Sequence, residues 1–204
     1  MRDVFADILS RLGDEGTIQD VIPVSGGSIN RVYRVTTMDH AYLVKTHPHP
    51  PAHFFAREAE GLELIRSTRT IRVPQVYGYG MMPGTVGGYI VLEWIEGSKQ
   101  AHTEAKLGRN LALMHQSFGA YFGLKDDNYI GLLPQKNKPT ADWLSFYREH
   151  RLRVLASLAA EQSVMPKERW QRMDKLLASL ERWIPADCRP SLLHGDLWGG
   201  TWIA

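Results

Sequence analysis

The residues best suited to chemistry lie near the end of the sequence, between His194 and Thr201. One glycine separates His194 from Asp196, and Thr201 follows Asp196 by five positions. An aspartate held on such a loop can accept the proton of an attacking hydroxyl, and an oxygen-bearing side chain five positions further on can reach a metal ion beside a transferred phosphoryl group. The spacing therefore indicates phosphoryl transfer, with Asp196 as the catalytic residue and Thr201 as a candidate metal ligand.

A second pair of charged side chains suits the same chemistry. Lys45 follows three apolar residues within a predicted strand over residues 41–46, and residues 53–67 have the periodicity of a helix. At about 100° per residue, Glu58 falls within the apolar stripe of that helix. An unpaired charge among buried residues is costly, so Lys45 is predicted to pair with Glu58 and to hold phosphate groups. In the alternative, Lys45 is a surface lysine and Glu58 reaches water.

The glycines at 26 and 27 connect two predicted strands, residues 18–24 and 31–37. Backbone without Cβ atoms can approach phosphate oxygens closely and point N–H groups at them. Considered alone, two adjacent glycines are more simply explained by a flexible hairpin turn, and neither common phosphate-binding glycine motif is present. The glycines gain a functional interpretation only when they are combined with Lys45.

The remaining elements that must position these residues fall into two groups. Strands near residues 73–80 and 89–94 complete a strand-rich first part, whereas helical periodicity dominates beyond Gly97, over residues 107–118, 143–160 and 167–184. Residues 127–137 read only as a polar loop. The basic cluster Arg148, Arg151 and Arg153 is predicted to be a solvated helix face, with attraction of an acidic substrate as the alternative.

Composition excludes several classes of protein. The 204 residues are 44% hydrophobic and carry a net charge of +2, which indicates a globular chain without the basic surface of a nucleic-acid binder. Cys188 is the single cysteine, so no internal disulfide is possible. The N-terminus lacks a signal-peptide pattern, and no apolar run approaches the roughly 20 residues that cross a membrane. We therefore expect a cytoplasmic protein with neither nucleic acid nor membrane as partner.

Several motifs in the same order resemble those of the fructosamine (ketosamine) 3-kinases, a branch of the protein-kinase-like superfamily. They are Ser-Gly-Gly-Ser-Ile-Asn at 25–30, the stretch Phe122–Asn137, and His-Gly-Asp-Leu-Trp-x-Gly at 194–200. The resemblance covers essentially the whole chain. It implies an α+β, two-lobed protein-kinase-like fold, with a nucleotide-binding lobe at residues 1–96 and a helical, C-terminally incomplete lobe at 97–204.

The same resemblance implies a function and a role for each site residue. The reaction would be ATP-dependent phosphorylation of a sugar hydroxyl on a ketoamine, such as a free or protein-bound fructosamine or ribulosamine, with Mg²⁺ as the metal. Asp196 would be the catalytic residue. The nucleotide would be held by Gly26, Gly27 and Ser28 over its phosphates, by Lys45 with Glu58, and by the main chain of Glu93 and Ile95 at its adenine edge, although an edge strand and a turn would explain residues 93–97 as well.

Two departures from the family pattern bear on activity. Thr201 stands where the family has a metal-binding asparagine, and the sequence ends at Ala204, before the second metal-binding aspartate of related kinases. From these departures the 204-residue chain is expected to be weak or inactive in phosphate transfer. Two alternative functions stay open: a kinase of the same fold acting on another small alcohol, such as an aminoglycoside or choline, and a non-catalytic nucleotide-binding module.

Overall fold

The computed structural model describes residues 1–25 and 29–203. The chain combines a five-stranded antiparallel sheet, a separate two-stranded hairpin and several helices, which confirms the predicted α+β class. Contacts along the chain divide it into two units. The first contains Met1–Met114 and the segment from His194 onward, and the second is His115–Leu193. The functional division into lobes at residues 96 and 97 stays a prediction.

The sheet of the first unit has the strand order β1-β2-β3-β5-β4. Each strand lies within a few residues of its predicted position, because alternating β-branched and aromatic residues mark it locally. In β3, for example, Tyr42, Val44 and Thr46 are buried and their neighbours are not. The strands are β1 Asp20–Val24, β2 Arg31–Thr36, β3 Ala41–His47, β4 Val76–Met81 and β5 Gly88–Glu93.

A helix covers each face of this sheet. Helix α1, Arg2–Arg11, buries Phe5 and Ile8 in one cluster with Val44 and Val91. Helix α2, Phe54–Ser67, buries Phe55 and Ala59 in another cluster with Ile90 and Leu92. Successive side chains of a strand point to opposite faces, and Lys45 pairs with Ile90 across β3 and β5. Lys45 therefore lies on the face that α2 covers.

A polar cluster around Asp14 ties the segment after α1 to the β2–β3 hairpin. The Asp14 carboxylate accepts hydrogen bonds from the Gly16 N–H and the Tyr42 hydroxyl, each at 2.8 Å, and from the Thr37 hydroxyl at 3.1 Å. Partial burial opposes ionisation of Asp14, but these donors outweigh that effect and hold the pKa of the carboxyl below its usual range. Burial and the adjacent carboxylate raise the pKa of Tyr42.

The second unit contains a hairpin and a run of helices. Residues 127–137, which the sequence indicates only as a loop, contain the short strands β6, Asn128–Ile130, and β7, Leu133–Gln135. The helix predicted over residues 143–160 is interrupted by a π-helical turn. Its parts are α4 Trp143–Tyr147, the π turn Arg148–Leu152 and α5 Arg153–Glu161, and α6 Lys167–Ala178 follows.

Two of the three arginines predicted to form a solvated face are instead structural. Arg151 donates to the Lys136 carbonyl at 2.6 Å and to the Asn137 side-chain oxygen at 2.7 Å. Its guanidinium carbon lies 4.6 Å from the centroid of the Phe146 ring. Arg148 donates to the Leu177 carbonyl at 2.8 Å. The prediction was wrong for both residues because it inferred the buried side of the helix from apolar residues alone.

Other helix ends also differ from the sequence interpretation. Helix α3, Thr103–Met114, belongs to the first unit and ends four residues before the predicted Phe118. Helix α6 ends at Ala178 rather than near Ile184, and a 3₁₀ turn, Leu180–Arg182, follows it. Within residues 1–25 and 29–203, no helix has both the length and the apolar character needed to cross a bilayer. The cytoplasmic location stays a prediction.

Candidate active site

The predicted ion pair between Lys45 and Glu58 is present. Lys45 Nζ lies 2.6 Å from Glu58 Oε1, and the two side chains are 29% and 24% exposed. The pair forms because β3 turns Lys45 toward α2 and the helical period turns Glu58 toward the sheet, while Glu60 and Glu63 face solvent. Partial exposure makes this pair less costly to desolvate than a fully buried one. It fixes an ammonium group on the face of the sheet that α2 covers.

The loop of residues 194–201, here called the Asp196 loop, has a defined local structure. Gly195 has φ +85°, a left-handed conformation that favours glycine. This turn brings the Asp196 N–H to 3.3 Å from His194 Nδ1, so that nitrogen is an acceptor and the imidazole proton is assigned to Nε2. The Asp196 side chain is exposed. An exposed carboxylate on a braced backbone is available to an incoming hydroxyl.

Thr201 contributes to the fold of the Asp196 loop. Its hydroxyl lies 2.9 Å from the Asp196 carbonyl and 3.0 Å from the Trp198 carbonyl, and it accepts the Trp198 N–H at 3.0 Å. The single hydroxyl hydrogen is shared between the two carbonyl oxygens, and one lone pair of the hydroxyl oxygen accepts the hydrogen bond from the N–H. One lone pair is therefore left for a metal ion. Coordination of Mg²⁺ by Thr201 stays a prediction, and its loop contacts were not foreseen from the sequence.

Trp202, the residue after the Asp196 loop, contacts the chain that follows β5. Lys99 Nζ lies 4.9 Å from the centroid of the Trp202 ring, a cation–π geometry, and it forms an ion pair with Glu104 at 3.3 Å. All of these residues belong to the first unit. The residue that follows the Asp196 loop is therefore in direct contact with the segment after β5.

The predicted hinge residues follow β5. The Glu93 N–H donates to the Gln75 carbonyl at 2.8 Å. For Ile95, no main-chain hydrogen bond to any residue in the described ranges is found, so its N–H and carbonyl are available to a ligand. The adenine-binding role expected for the main chain of Glu93 and Ile95 stays a prediction.

The Glu93 side chain has partners that sequence reasoning missed. Its carboxylate accepts from Arg72 at 2.6 Å and from the Gln75 N–H at 3.1 Å. Partial burial alone would raise the pKa of this carboxyl, but the Gln75 N–H and the Arg72 guanidinium outweigh it and hold the pKa below the usual range. No local pattern links positions 21 residues apart, so no signal in the sequence indicated this contact.

The remaining predicted residues are those expected to contact the phosphates and a metal ion. Gly26, Gly27 and Ser28, the residues predicted to cover the phosphates, lie outside the described residues. In the part of the chain that the structure describes, no group of three or more histidine, cysteine or acidic side chains is arranged to hold a metal ion. Mg²⁺ typically binds through one or two carboxylates together with substrate phosphates and water. Thr201 with bound phosphates and water would supply one neutral ligand to such an ion.

The fold and the site together define a class of protein. An antiparallel sheet bearing Lys45, a helix that supplies Glu58 and a His-x-Asp loop are the elements of a protein-kinase-like phosphotransferase fold. A solved structure assigned as a fructosamine-3-kinase, from Thermobifida fusca, superposes with a TM-score of 0.84 at 27% identity over 98% of this chain and 68% of that one.

Sequence comparison identifies the family within this class. The chain belongs to the fructosamine kinase family, whose sequence model matches residues 1–203. It is 39% identical to a probable ketoamine kinase of Enterococcus faecium over 96% of this chain and 69% of that protein. It is 36% identical to the chloroplastic protein-ribulosamine 3-kinase of Arabidopsis thaliana over 93% of this chain. The chain spans 58% of the length of that plant protein.

Proposed function

We propose that this chain carries the ATP site and the catalytic aspartate of a kinase that phosphorylates a sugar hydroxyl of a ketosamine. The acceptor class is a fructosamine or ribulosamine, free or attached to a protein amine. The observation that carries the proposal is the Lys45–Glu58 ion pair at 2.6 Å in a chain of the fructosamine kinase family. The identity to a ketoamine kinase and to a protein-ribulosamine 3-kinase supports this acceptor class over aminoglycosides or choline.

Each residue of the site has a proposed task in this reaction. Lys45, held by Glu58, binds the α- and β-phosphates of ATP, and Gly26, Gly27 and Ser28 are proposed to contact the phosphates. The main chain of Glu93 and Ile95 binds the adenine edge. Asp196 orients the acceptor hydroxyl and takes its proton as the hydroxyl oxygen bonds to the γ-phosphorus and ADP leaves.

Mg²⁺ is the proposed metal, and when bound it would neutralise charge on the phosphates. Thr201 could supply one neutral ligand through its remaining lone pair, beside phosphate oxygens and water. A neutral hydroxyl already engaged in the loop is a weaker ligand than a carboxamide oxygen free to face the metal. We therefore propose that phosphate transfer by this chain is slow.

The experiment is phosphorylation of fructoselysine or a small ribulosamine by ATP and Mg²⁺, read out by mass spectrometry of the acceptor. Wild-type protein should add one phosphoryl group to the sugar, and Asp196→Asn should abolish the product. Asp174→Asn is the matched control, because Asp174 is an exposed aspartate on α6. Equal product from the wild type and from Asp196→Asn would reject the role of Asp196.

One observation supports a second candidate, a nucleotide-binding module without catalysis. The Thr201 hydroxyl is engaged with the main chain at Asp196 and Trp198, where the family pattern has a metal-binding side chain. Binding of ATP that depends on Mg²⁺, with no phosphorylated acceptor after prolonged incubation, would favour this candidate over the kinase.

A further inference from the structure

The Glu93 carboxylate changes the hydrogen bonding at the end of β5. Glu93 and Gln75 lie opposite each other, and the Glu93 N–H donates to the Gln75 carbonyl at 2.8 Å. In a regular antiparallel pair of this kind, the Gln75 N–H would return a bond to the Glu93 carbonyl oxygen. Here the Gln75 N–H donates to the Glu93 carboxylate instead, at 3.1 Å. The side chain has replaced its own main chain as the acceptor.

The Glu93 carboxylate is itself held in this position. Arg72 donates to its other oxygen at 2.6 Å, and the Glu93 side chain is 29% exposed although that of Arg72 is 69% exposed. An ion pair with such an exposed arginine contributes little stability. Its effect is geometric, because it aims the second carboxylate oxygen at the Gln75 N–H.

The same segment is also tied to the helix that carries Glu58. Arg66 of α2 donates to the Pro74 carbonyl at 2.7 Å, one residue before Gln75. Residues 72–75 are therefore bonded to α2 on one side and to the Glu93 carboxylate on the other. This segment connects the Lys45–Glu58 pair to the end of β5, where the main chain is proposed to bind adenine.

We propose that the Glu93 side chain is a positioning residue for the adenine base. By taking the Gln75 N–H, the carboxylate frees the Glu93 carbonyl oxygen to accept a hydrogen bond from the exocyclic amine of adenine. This inference rests on the proposed function, because it requires that ATP binds at the end of β5. It assigns the specificity for an amino-purine to a side chain that does not itself touch the nucleotide.

The test isolates one hydrogen bond by comparing two nucleotides. Purine riboside triphosphate lacks the exocyclic amine of ATP but keeps the ring nitrogens and the phosphates. Dissociation constants of both nucleotides are measured with the wild-type protein by titration calorimetry in the presence of Mg²⁺. One hydrogen bond to a carbonyl should make ATP bind roughly 3- to 10-fold more tightly than the analogue.

Three variants make the comparison specific. In Glu93→Ala the Gln75 N–H is free to bond to the main-chain carbonyl of residue 93, so the preference for ATP should fall to less than about twofold. In Glu93→Gln a side-chain oxygen remains for the Gln75 N–H, so the preference should be retained. Glu149→Ala, which removes an exposed carboxylate from an ion pair in the second unit, should behave as wild type. Thermal unfolding of each variant establishes that it is folded.

The outcomes separate this inference from the function on which it rests. If ATP and the analogue bind the wild type equally, or if Glu93→Ala keeps the wild-type preference, the positioning role is wrong and the ATP site stands. Loss of the preference in Glu93→Gln as well as in Glu93→Ala would also overturn it. If the wild type binds neither nucleotide, or if Lys45→Met binds ATP as tightly as wild type, the proposed function itself fails.

Discussion

Removing the charge of Glu58 should weaken ATP binding, and it should do so only because Lys45 is no longer held in place. The pair is 2.6 Å apart, and both side chains are less than one-third exposed. Exposed ion pairs contribute about 0.2–1 kcal/mol, whereas breaking a buried pair costs about 3–5 kcal/mol. For this intermediate exposure we expect a coupling free energy of about 1–2 kcal/mol between the two side chains. A loss of 1.4 kcal/mol corresponds to a tenfold change in a dissociation constant.

The assay is a double-mutant cycle with Lys45→Met, Glu58→Gln and the double variant, using ATP dissociation constants. Glu58→Gln should raise the dissociation constant about tenfold, because Lys45 is then no longer held in place. Lys45→Met should raise it further, because the ammonium group is lost. The double variant should match Lys45→Met, since Glu58 acts only by holding Lys45.

The exposed ion pair between Glu149 and Arg153 provides the control for this cycle. Glu149→Gln breaks the exposed pair between Glu149 and Arg153, which are 3.0 Å apart, and should change stability by less than about 0.5 kcal/mol and ATP affinity not at all. Effects of Lys45→Met and Glu58→Gln that add independently would refute the argument, because they would mean that Glu58 does not act through Lys45.

Three further substitutions test the elements around the site. Asp14→Asn should lower the free energy of unfolding by roughly 1–3 kcal/mol at neutral pH, and because the folded pKa of Asp14 is depressed, the difference from wild type should shrink as the pH falls through about 4 and be lost below the folded pKa in urea titrations. Arg151→Lys should cost roughly 1–3 kcal/mol in chemical denaturation, since an ammonium cannot bond to both the Lys136 carbonyl and the Asn137 side chain in the same planar geometry. Thr201→Val should speed hydrogen exchange at the Trp198 N–H, whereas Thr201→Ser should not.

Each of these three predictions would be contradicted by a specific result. A constant stability difference between wild type and Asp14→Asn from neutral pH to pH ~3 would show that ionisation of Asp14 is unimportant. Equal losses in Arg151→Lys and in Arg153→Lys would remove the special role of Arg151. Unchanged exchange in Thr201→Val would mean that the Thr201 hydroxyl does not brace the Asp196 loop.

The parts of the site that the sequence could predict are those with a local pattern. Lys45 and Glu58 were found because strand alternation and helix periodicity each fix the face of a side chain, and a core-facing carboxylate needs a partner. The contact between His194 and the Asp196 N–H follows from their short, fixed spacing, and the catalytic role of Asp196 stays a prediction. In these cases, one element or two adjacent ones determine the geometry.

The missed parts depend on contacts between distant positions or on irregular backbone. The bond between Arg72 and Glu93 joins residues that only the folded sheet brings together. The π turn at Arg148–Leu152 shifts the helix phase, so a constant angle per residue misassigns the faces beyond it. The role of Thr201 within its loop depends on three main-chain groups, and a motif comparison registers only that an asparagine is replaced.

The central claim is that Asp196 supports phosphate transfer from ATP to a ketosamine hydroxyl. Its most direct test is mass spectrometry of fructoselysine after prolonged incubation with the protein, ATP and Mg²⁺, with wild-type and Asp196→Asn proteins compared at equal concentration. We predict slow formation of a singly phosphorylated sugar by the wild type and none by Asp196→Asn. No phosphorylated acceptor from the wild type, or the same amount from both proteins, would contradict the claim.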